Sequence, residues 1–185
     1  MIKKEIRVLG VSFAEPNVRA VGPIHIVGVV YRGNRWLEGV MRTTVPPGRA
    51  DITPRIAKMV RDSPHYPQLR IIILDRLTTK YGNYVDLDLL SKKTRLPSLA
   101  VLQHKISSGH ISGAAKRALA SFAKLTYTKW SKPPRPLFVY SAGLDKMDLG
   151  EVLEVCASSK GIPEAARVAR ITASSIERLL LRHTR

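Results

Sequence analysis

The amino-acid sequence predicts an α/β fold, a mixed sheet with helices on both faces, and three observations predict it. Two long, largely apolar stretches flank a Gly33-Asn34 turn near the N-terminus, the pattern of an antiparallel hairpin. Further on, short continuous apolar runs alternate with stretches of helical period, the pattern of βα units. The composition also fits: 44% hydrophobic and 24% charged residues are ordinary globular values. A chain of 185 residues is long enough to bury roughly 70% of its unfolded surface in one core, so residues 1–185 read as a single domain.

Glu5 to Phe13 reads as the first strand, with Ile6, Val8, Leu9 and Val11 as its apolar content. Ile24 to Tyr31 is a second, β-branched strand. Arg35 to Val45 returns after the turn, with Trp36, Glu38 and Val40 on one face and Leu37, Gly39 and Met41 on the other. After Pro46-Pro47-Gly48 the period changes. Thr53 serves as N-cap of a helix with Pro54 at its first position, and Ile56, Met59 and Val60 form its buried stripe. Ile71 to Leu74 has the continuous apolar character of a strand covered on both faces, and Asp75 ends it. Asp86 caps a short helix through Lys93, and Leu99 to Gln103 reads as another buried strand. Ser112 to Lys129 reads as an amphipathic helix, with Ala115, Leu119, Phe122 and Thr126 opposite Lys116, Arg117 and Lys124. Leu137 to Tyr140 is a last short strand. Asp148 and Glu151 make a capping-box-like start for a helix ending near Gly161. Pro163 opens the final helix, whose polar face carries Arg167, Arg170, Ser174, Arg178 and Arg182. Three strands followed by alternating helices and strands is the ribonuclease H-like order.

Charge is the strongest compositional signal. There are 31 Lys and Arg against 14 Asp and Glu, a formal net of +17. A field of that sign concentrates polyanions, and nucleic acid is the commonest polyanion inside a cell. The plainer reading is a solvated basic surface. The single cysteine, Cys156, rules out an internal disulfide and suits a reducing compartment. The apolar run after Met1-Ile2-Lys3-Lys4-Glu5 is short and has no cleavage pattern, and no apolar stretch approaches the ~20 residues of a membrane helix. A cytoplasmic location without a membrane partner is therefore expected.

Nucleases on such sheets hold Mg²⁺ or Mn²⁺ through two or three carboxylates that converge at adjacent strand ends. Asp75, directly after a buried strand, is the leading candidate, and its other reading is a turn residue or helix cap. Glu38, in the third strand, is either a ligand facing a cleft or part of a solvated edge. Glu15, just past the first strand, and Asp86 are weaker candidates. The histidines His25, His65, His104, His110 and His183 show no zinc-type spacing, and Cys156 has no base beside it in sequence. Gly109 to Gly113, followed by Lys116 and Arg117, offers amides and charge to a phosphate without Walker spacing. Tyr31-Arg32, Arg35-Trp36, Lys80-Tyr81 and Tyr127 to Trp130 interleave aromatics with cations, as single-stranded nucleic acid requires. Trp36 and Trp130 also read as core anchors.

The segments Lys4 to Val11, Trp36-Leu37-Glu38-Gly39-Val40, Ile73-Leu74-Asp75 running to Asn83-Tyr84-Val85-Asp86, and Gly161-Ile162-Pro163-Glu164 to Arg167-Val168-Ala169 resemble a mostly archaeal domain-of-unknown-function family (number 99). That family is grouped with endonuclease V on a ribonuclease H-like fold, and the resemblance covers almost the whole chain. The family pattern ends its first strand in a Gly-Ile-Asp-Asp-Gly-like turn, whereas this chain has Gly10-Val11-Ser12-Phe13-Ala14. The family's later Asp-Gly is Asp75-Arg76 here, and its Arg-Val-Ala-His is Arg167-Val168-Ala169-Arg170. By resemblance, Ser12 stands where endonuclease V-like enzymes hold their first metal-binding aspartate. A neutral hydroxyl is a poor Mg²⁺ ligand, and Arg76 adds repulsion beside the ion.

Three functions follow as expectations. The first is a non-catalytic nucleic-acid-binding protein with a degenerate metal site, its binding face formed by Arg76, Arg167, Arg170 and Arg178 with Lys116 and Arg117. The second is a Mg²⁺- or Mn²⁺-dependent endonuclease using Asp75 with Ser12 and the substitute carboxylates Glu38 and Glu15. The third is a basic assembly protein that meets an acidic partner or ribosomal RNA. Whether Asp75, Glu38 and Ser12 converge in space separates the first from the second.

Overall fold

A computed structural model describes residues 5–16, 22–48, 50–103, 126–130, 136–159 and 161–182. Strands form where branched and apolar residues cluster. β1 (Arg7–Ala14), β2 (Ile24–Arg32) and β3 (Trp36–Val45) make an antiparallel meander. β4 (Leu69–Leu74) pairs parallel to β1, and β5 (Ser98–Leu102) pairs parallel to β4. β6 (Thr126–Trp130) and β7 (Leu137–Ala142) complete the sheet with antiparallel pairings. The described strands form one mixed sheet in the order β3-β2-β1-β4-β5-β7-β6. The β2–β3 turn closes with Arg35 N–H donating to the Arg32 carbonyl, and Gly33 alone takes the positive φ, 57°, that such a turn needs.

The helices cover both faces, as the sequence predicts. α1 (Thr53–Arg61) and α2 (Leu87–Thr94) lie on one side, where Ile56, Val60, Leu87 and Leu90 join Leu9, Val11, Phe13, Ile72 and Leu74 in a single core. α3 (Lys146–Cys156) and α4 (Glu164–Arg182) lie on the other, where Leu149, Val152, Ala165 and Ala166 meet Val8, Ile71, Ile73 and Leu99. Successive strand residues alternate between these two cores, which places Val8, Gly10 and Ser12 on the α4 side, with Ile71, Ile73 and Asp75 beside them. α4 presents a stripe of small residues, Ala165, Ala166, Ala169 and Ala173, and approaches β1 so closely that Gly10 has no room for a Cβ.

Several local expectations need correction. Thr53 is the first residue of α1 rather than its cap: Ile52 holds the N-cap position, and Asp51 accepts the Thr53 N–H at 2.8 Å. Asp145, not Asp148, caps α3 by accepting the Asp148 N–H at 2.9 Å, and the helix ends at Cys156. Asp86 caps α2 as expected, accepting the Leu89 N–H at 3.0 Å. Most of the helix read over Ser112–Lys129 lies outside the described residues, and its last part, from Thr126, is strand β6. Pairing along β7 overrides the helical period there. A β-bulge interrupts the β2–β3 register: Val30 pairs with Gly39 and Tyr31 with Leu37, which leaves Glu38 as the extra residue. The bulge shifts the phase of β3, so Leu37 and Val40 share a face and Trp36 lies on the other, against the simple alternation. No helix among the described residues is long and apolar enough to cross a membrane.

Candidate functional site at the carboxyl ends of β1 and β4

β1 and β4 run parallel, so their carboxyl ends lie together, and α4 crosses above them. Asp75 follows β4 and its N–H donates to the Val11 carbonyl at 3.3 Å, which holds it against the end of β1. Ser12 Oγ, fully buried, donates to Asp75 Oδ2 at 3.0 Å. The other carboxylate oxygen, Oδ1, is buried without a hydrogen-bond partner and lies 3.7 Å from Arg76 Nε. Arg76 Nη1 reaches across to Glu15 Oε1 at 3.2 Å. Glu15 Oε2 accepts the Lys80 N–H at 2.7 Å. Tyr81 donates its hydroxyl to the Pro16 carbonyl at 2.6 Å and fastens the same turn. Lys80 Nζ stands 3.7 Å from Glu177 of α4. Ser12, Glu15, Asp75 and Arg76 thus converge, drawn from two segments more than sixty residues apart in sequence.

Burial dominates the electrostatics. It pushes the Asp75 carboxyl above its ordinary value, against the opposing pull of the Arg76 charge, the Ser12 hydrogen bond and the Arg170 charge. It likewise pushes Glu15 up, opposed by the Lys80 N–H and by the charges of Arg76 and Lys80, with Glu177 adding to the rise. The group contains carboxylates at Glu15, Asp75 and Glu177 and cations at Arg76, Lys80 and Arg170, so it is close to charge-balanced.

Glu38 does not join this group. Its carboxylate accepts from Arg7 Nε at 2.7 Å and from Arg32 Nε at 2.6 Å, at the start of β1. Arg7 and Ser12 are separated by roughly 17 Å of extended strand, too far for a shared metal ion. Burial works to raise the Glu38 carboxyl, but the hydrogen bonds and charges of Arg32 and Arg7 outweigh it and hold the group below its ordinary value. A carboxylate so depressed contributes stability above its unfolded value that is lost as pH falls through the folded one. Glu38→Gln is therefore expected to cost about 1 kcal/mol at neutral pH, and the penalty should shrink as the wild type is acidified below about pH 4. Denaturant titrations of both proteins across that range check this, and a penalty independent of pH would show that the two ion pairs contribute nothing.

The predicted cations fare differently. Arg170 lies close enough to Asp75 to act on its carboxyl. Arg167 turns to Glu164 instead, with Nε–Oε2 at 2.8 Å and Nη2–Oε1 at 2.5 Å, a bidentate pair on α4. Arg178 is exposed. Lys116, Arg117 and the Gly109–Gly113 loop lie outside the described residues. Trp36 is no core anchor: it is 60% exposed on the edge strand, opposite Arg32. Cys156 is buried, and burial pushes its thiol up to about 12, which removes it as a nucleophile. The parts that sequence reasoning missed are the Lys80 amide and the Tyr81 hydroxyl that position the Glu15 turn. Lys80-Tyr81 was visible only as a cation next to an aromatic residue, and nothing local links it to Glu15.

A divalent ion does not fit this donor set as it is arranged. Mg²⁺ and Mn²⁺ require several hard, anionic oxygens. Asp75 and Glu15 are such donors, but the third group, Ser12, is a neutral hydroxyl, and the Arg76 guanidinium lies between the two carboxylates. Among the described residues no three His, Cys, Asp or Glu side chains gather as a metal-binding group.

Residues 4–177 match the family described as Endonuclease dU. The UPF0215 protein of Methanothermobacter thermautotrophicus is 35% identical over 186 residues, covering 95% of this chain and 89% of that protein. Its counterpart in Methanopyrus kandleri is 31% identical, with 95% and 93% covered. Among solved structures, a protein of unknown function from Archaeoglobus fulgidus is similar with a TM-score of 0.77 at 20% identity, covering 93% of this chain and 98% of that one. Endonuclease V of Ciona intestinalis, in complex with a 24mer DNA containing an inosine followed by a ribo-adenosine, has a TM-score of 0.66 at 12% identity, with 96% and 87% covered. Human ENDOV has the same TM-score at 15% identity, with 94% and 85% covered. These structural likenesses bear out the expected endonuclease V-like, ribonuclease H-like sheet.

Proposed function

The chain belongs to the endonuclease dU family, and on that footing we propose that it binds nucleic acid on an endonuclease V-like scaffold without cutting it through a metal centre. The observation that carries this reading is the state of the strand-end carboxylates. The Ser12 hydroxyl engages one Asp75 oxygen, and the Arg76 guanidinium pairs with both Asp75 and Glu15, so a protein cation stands where a metal centre would use these carboxylates. A net charge of +17 supports a polyanionic partner, and the DNA complex of the Ciona endonuclease V supports nucleic acid as that partner. The binding face is the edge above Asp75, where Arg170 of α4 stands near the half-exposed guanidinium of Arg76, with Arg178 exposed further along the same helix.

The test is a pair of assays on the full chain. Fluorescence anisotropy with labelled DNA and RNA, single- and double-stranded, in EDTA at low salt, is expected to show binding, and failure with every probe would sink the reading. Incubation with inosine- or deoxyuridine-containing DNA in Mg²⁺ or Mn²⁺ is expected to give little or no cleavage. A second reading, a metal-dependent endonuclease using Asp75 and Glu15, draws support from the buried, unpartnered Asp75 Oδ1. Robust cleavage that is abolished by Asp75→Ala would select it over the first.

A further inference from the structure

Two carboxylates buried at adjacent strand ends lose their hydration, and that cost demands a cation. Glu15 is 4% exposed, and the Asp75 side chain is 10% exposed with Oδ1 lacking any hydrogen-bond partner. The nearest positive charge to both is the same guanidinium. Arg76 Nη1 is 3.2 Å from Glu15 Oε1, and its Nε is 3.7 Å from Asp75 Oδ1. The planar fork of arginine suits this task, because its donors diverge in one plane and address two acceptors at once. Lys80 does not take this place: its side chain is directed to Glu177, and its hydrogen bond to Glu15 comes from the backbone N–H.

We propose that Arg76 is the resident cation of this site, a guanidinium that neutralises and bridges Glu15 and Asp75 in place of a divalent ion. This rests on the reading above that the site does not work through a metal. It adds that the side chain itself excludes the ion. Removing the guanidinium while keeping both carboxylates then opens a cation site that the native protein lacks. The unpartnered Asp75 Oδ1 and the Glu15 oxygen released by Arg76 become its first two ligands, and water completes the shell.

The experiment compares thermal unfolding of wild type, Arg76→Ala and Arg76→Lys in EDTA and in millimolar Mn²⁺. Wild type and Arg76→Lys, which keep the positive charge, are expected to give the same Tm in both buffers. Arg76→Ala is expected to melt lower in EDTA and to gain roughly 5 °C or more with Mn²⁺. If Arg76→Ala is unfolded in EDTA, folding on addition of Mn²⁺ supports the proposal. An Arg76→Ala that ignores Mn²⁺, folded or unfolded, overturns it. Mn²⁺ binding to the wild type by electron paramagnetic resonance, lost in Asp75→Asn, overturns it as well. The two readings fail separately: anisotropy in EDTA reports nucleic-acid binding, and the Mn²⁺ response reports the role of Arg76.

Discussion

Gly10→Val is expected to prevent folding, and Gly10→Ala to cost on the order of 3 kcal/mol or more. A Cβ at this position falls 2.1 Å from the backbone C and O of Ala165 and 2.5 Å from the Ala166 N. These are main-chain atoms of α4, so no rotamer change relieves the clash. The helix has to retreat by roughly 1.5 Å to restore an ordinary carbon–carbon separation. Retreat unpacks Ala165 and Ala166 from Val8 and Ile73, and Ala169 and Ala173 from Ala14 and Val29. It also withdraws Arg170 and Glu177 from the strand-end group. The contrast is Gly150→Ala, the same chemical change within α3, where nothing lies within 4 Å of the added methyl. There the helix gains alanine's lower backbone entropy, and a stabilisation of about 0.5–1 kcal/mol is expected. Denaturant unfolding of the three proteins decides the matter. A Gly10→Ala variant as stable as wild type would mean that α4 does not seat on β1 as described.

Nucleic-acid affinity is expected to collapse with salt. Each phosphate neutralised on duplex DNA releases condensed counterions, so log K falls against log salt with a slope near −0.9 per contact. A face that engages about four phosphates therefore loses affinity roughly 150-fold between about 50 and 200 mM salt. The double variant Arg170→Gln, Arg178→Gln is expected to flatten that slope by nearly two units while the protein stays folded, because neither residue belongs to the core. Anisotropy titrations at four or five salt concentrations give both slopes. An unchanged slope in the folded double variant places the binding face elsewhere. The near balance of charge around Asp75 makes this a demanding test. The excess of cations over carboxylates that produces +17 is spread over the chain, and only part of it stands at this edge.

Much of the fold was legible because it is written in local periodicity. Continuous apolar runs such as Ile71–Leu74 demand burial on both faces, and the stripe of α1 demands a sheet to cover it. The segment from Thr126 was not legible. Its helical period is an accident of composition, and strand pairing with β7 decided its state. In the candidate site, the alternation of β1 and β4 places Ser12 and Asp75 on the faces that turn toward α4, and the position of Asp75 after a buried strand marks the right edge. Glu38 misled because the antiparallel register sets it beside Arg7 and Arg32 at the start of β1, the opposite end of that strand from Ser12, and no feature of Trp36-Leu37-Glu38-Gly39-Val40 announces that placement.

By itself the sequence determined the sheet and its covering helices, which follow from residue type and spacing, and the basic character of the chain, which follows from composition. That Ser12 stands in place of an acidic residue is what the resemblance to the family implies. Only the tertiary structure decided what the remaining carboxylates do. Glu15 meets Arg76 and Lys80, and Asp75 meets Ser12, across separations of more than sixty residues that no local pattern encodes. The parallel pairing of β1 with β4 brings those ends together, and burial under α4 makes their charges costly enough to require the arginine between them.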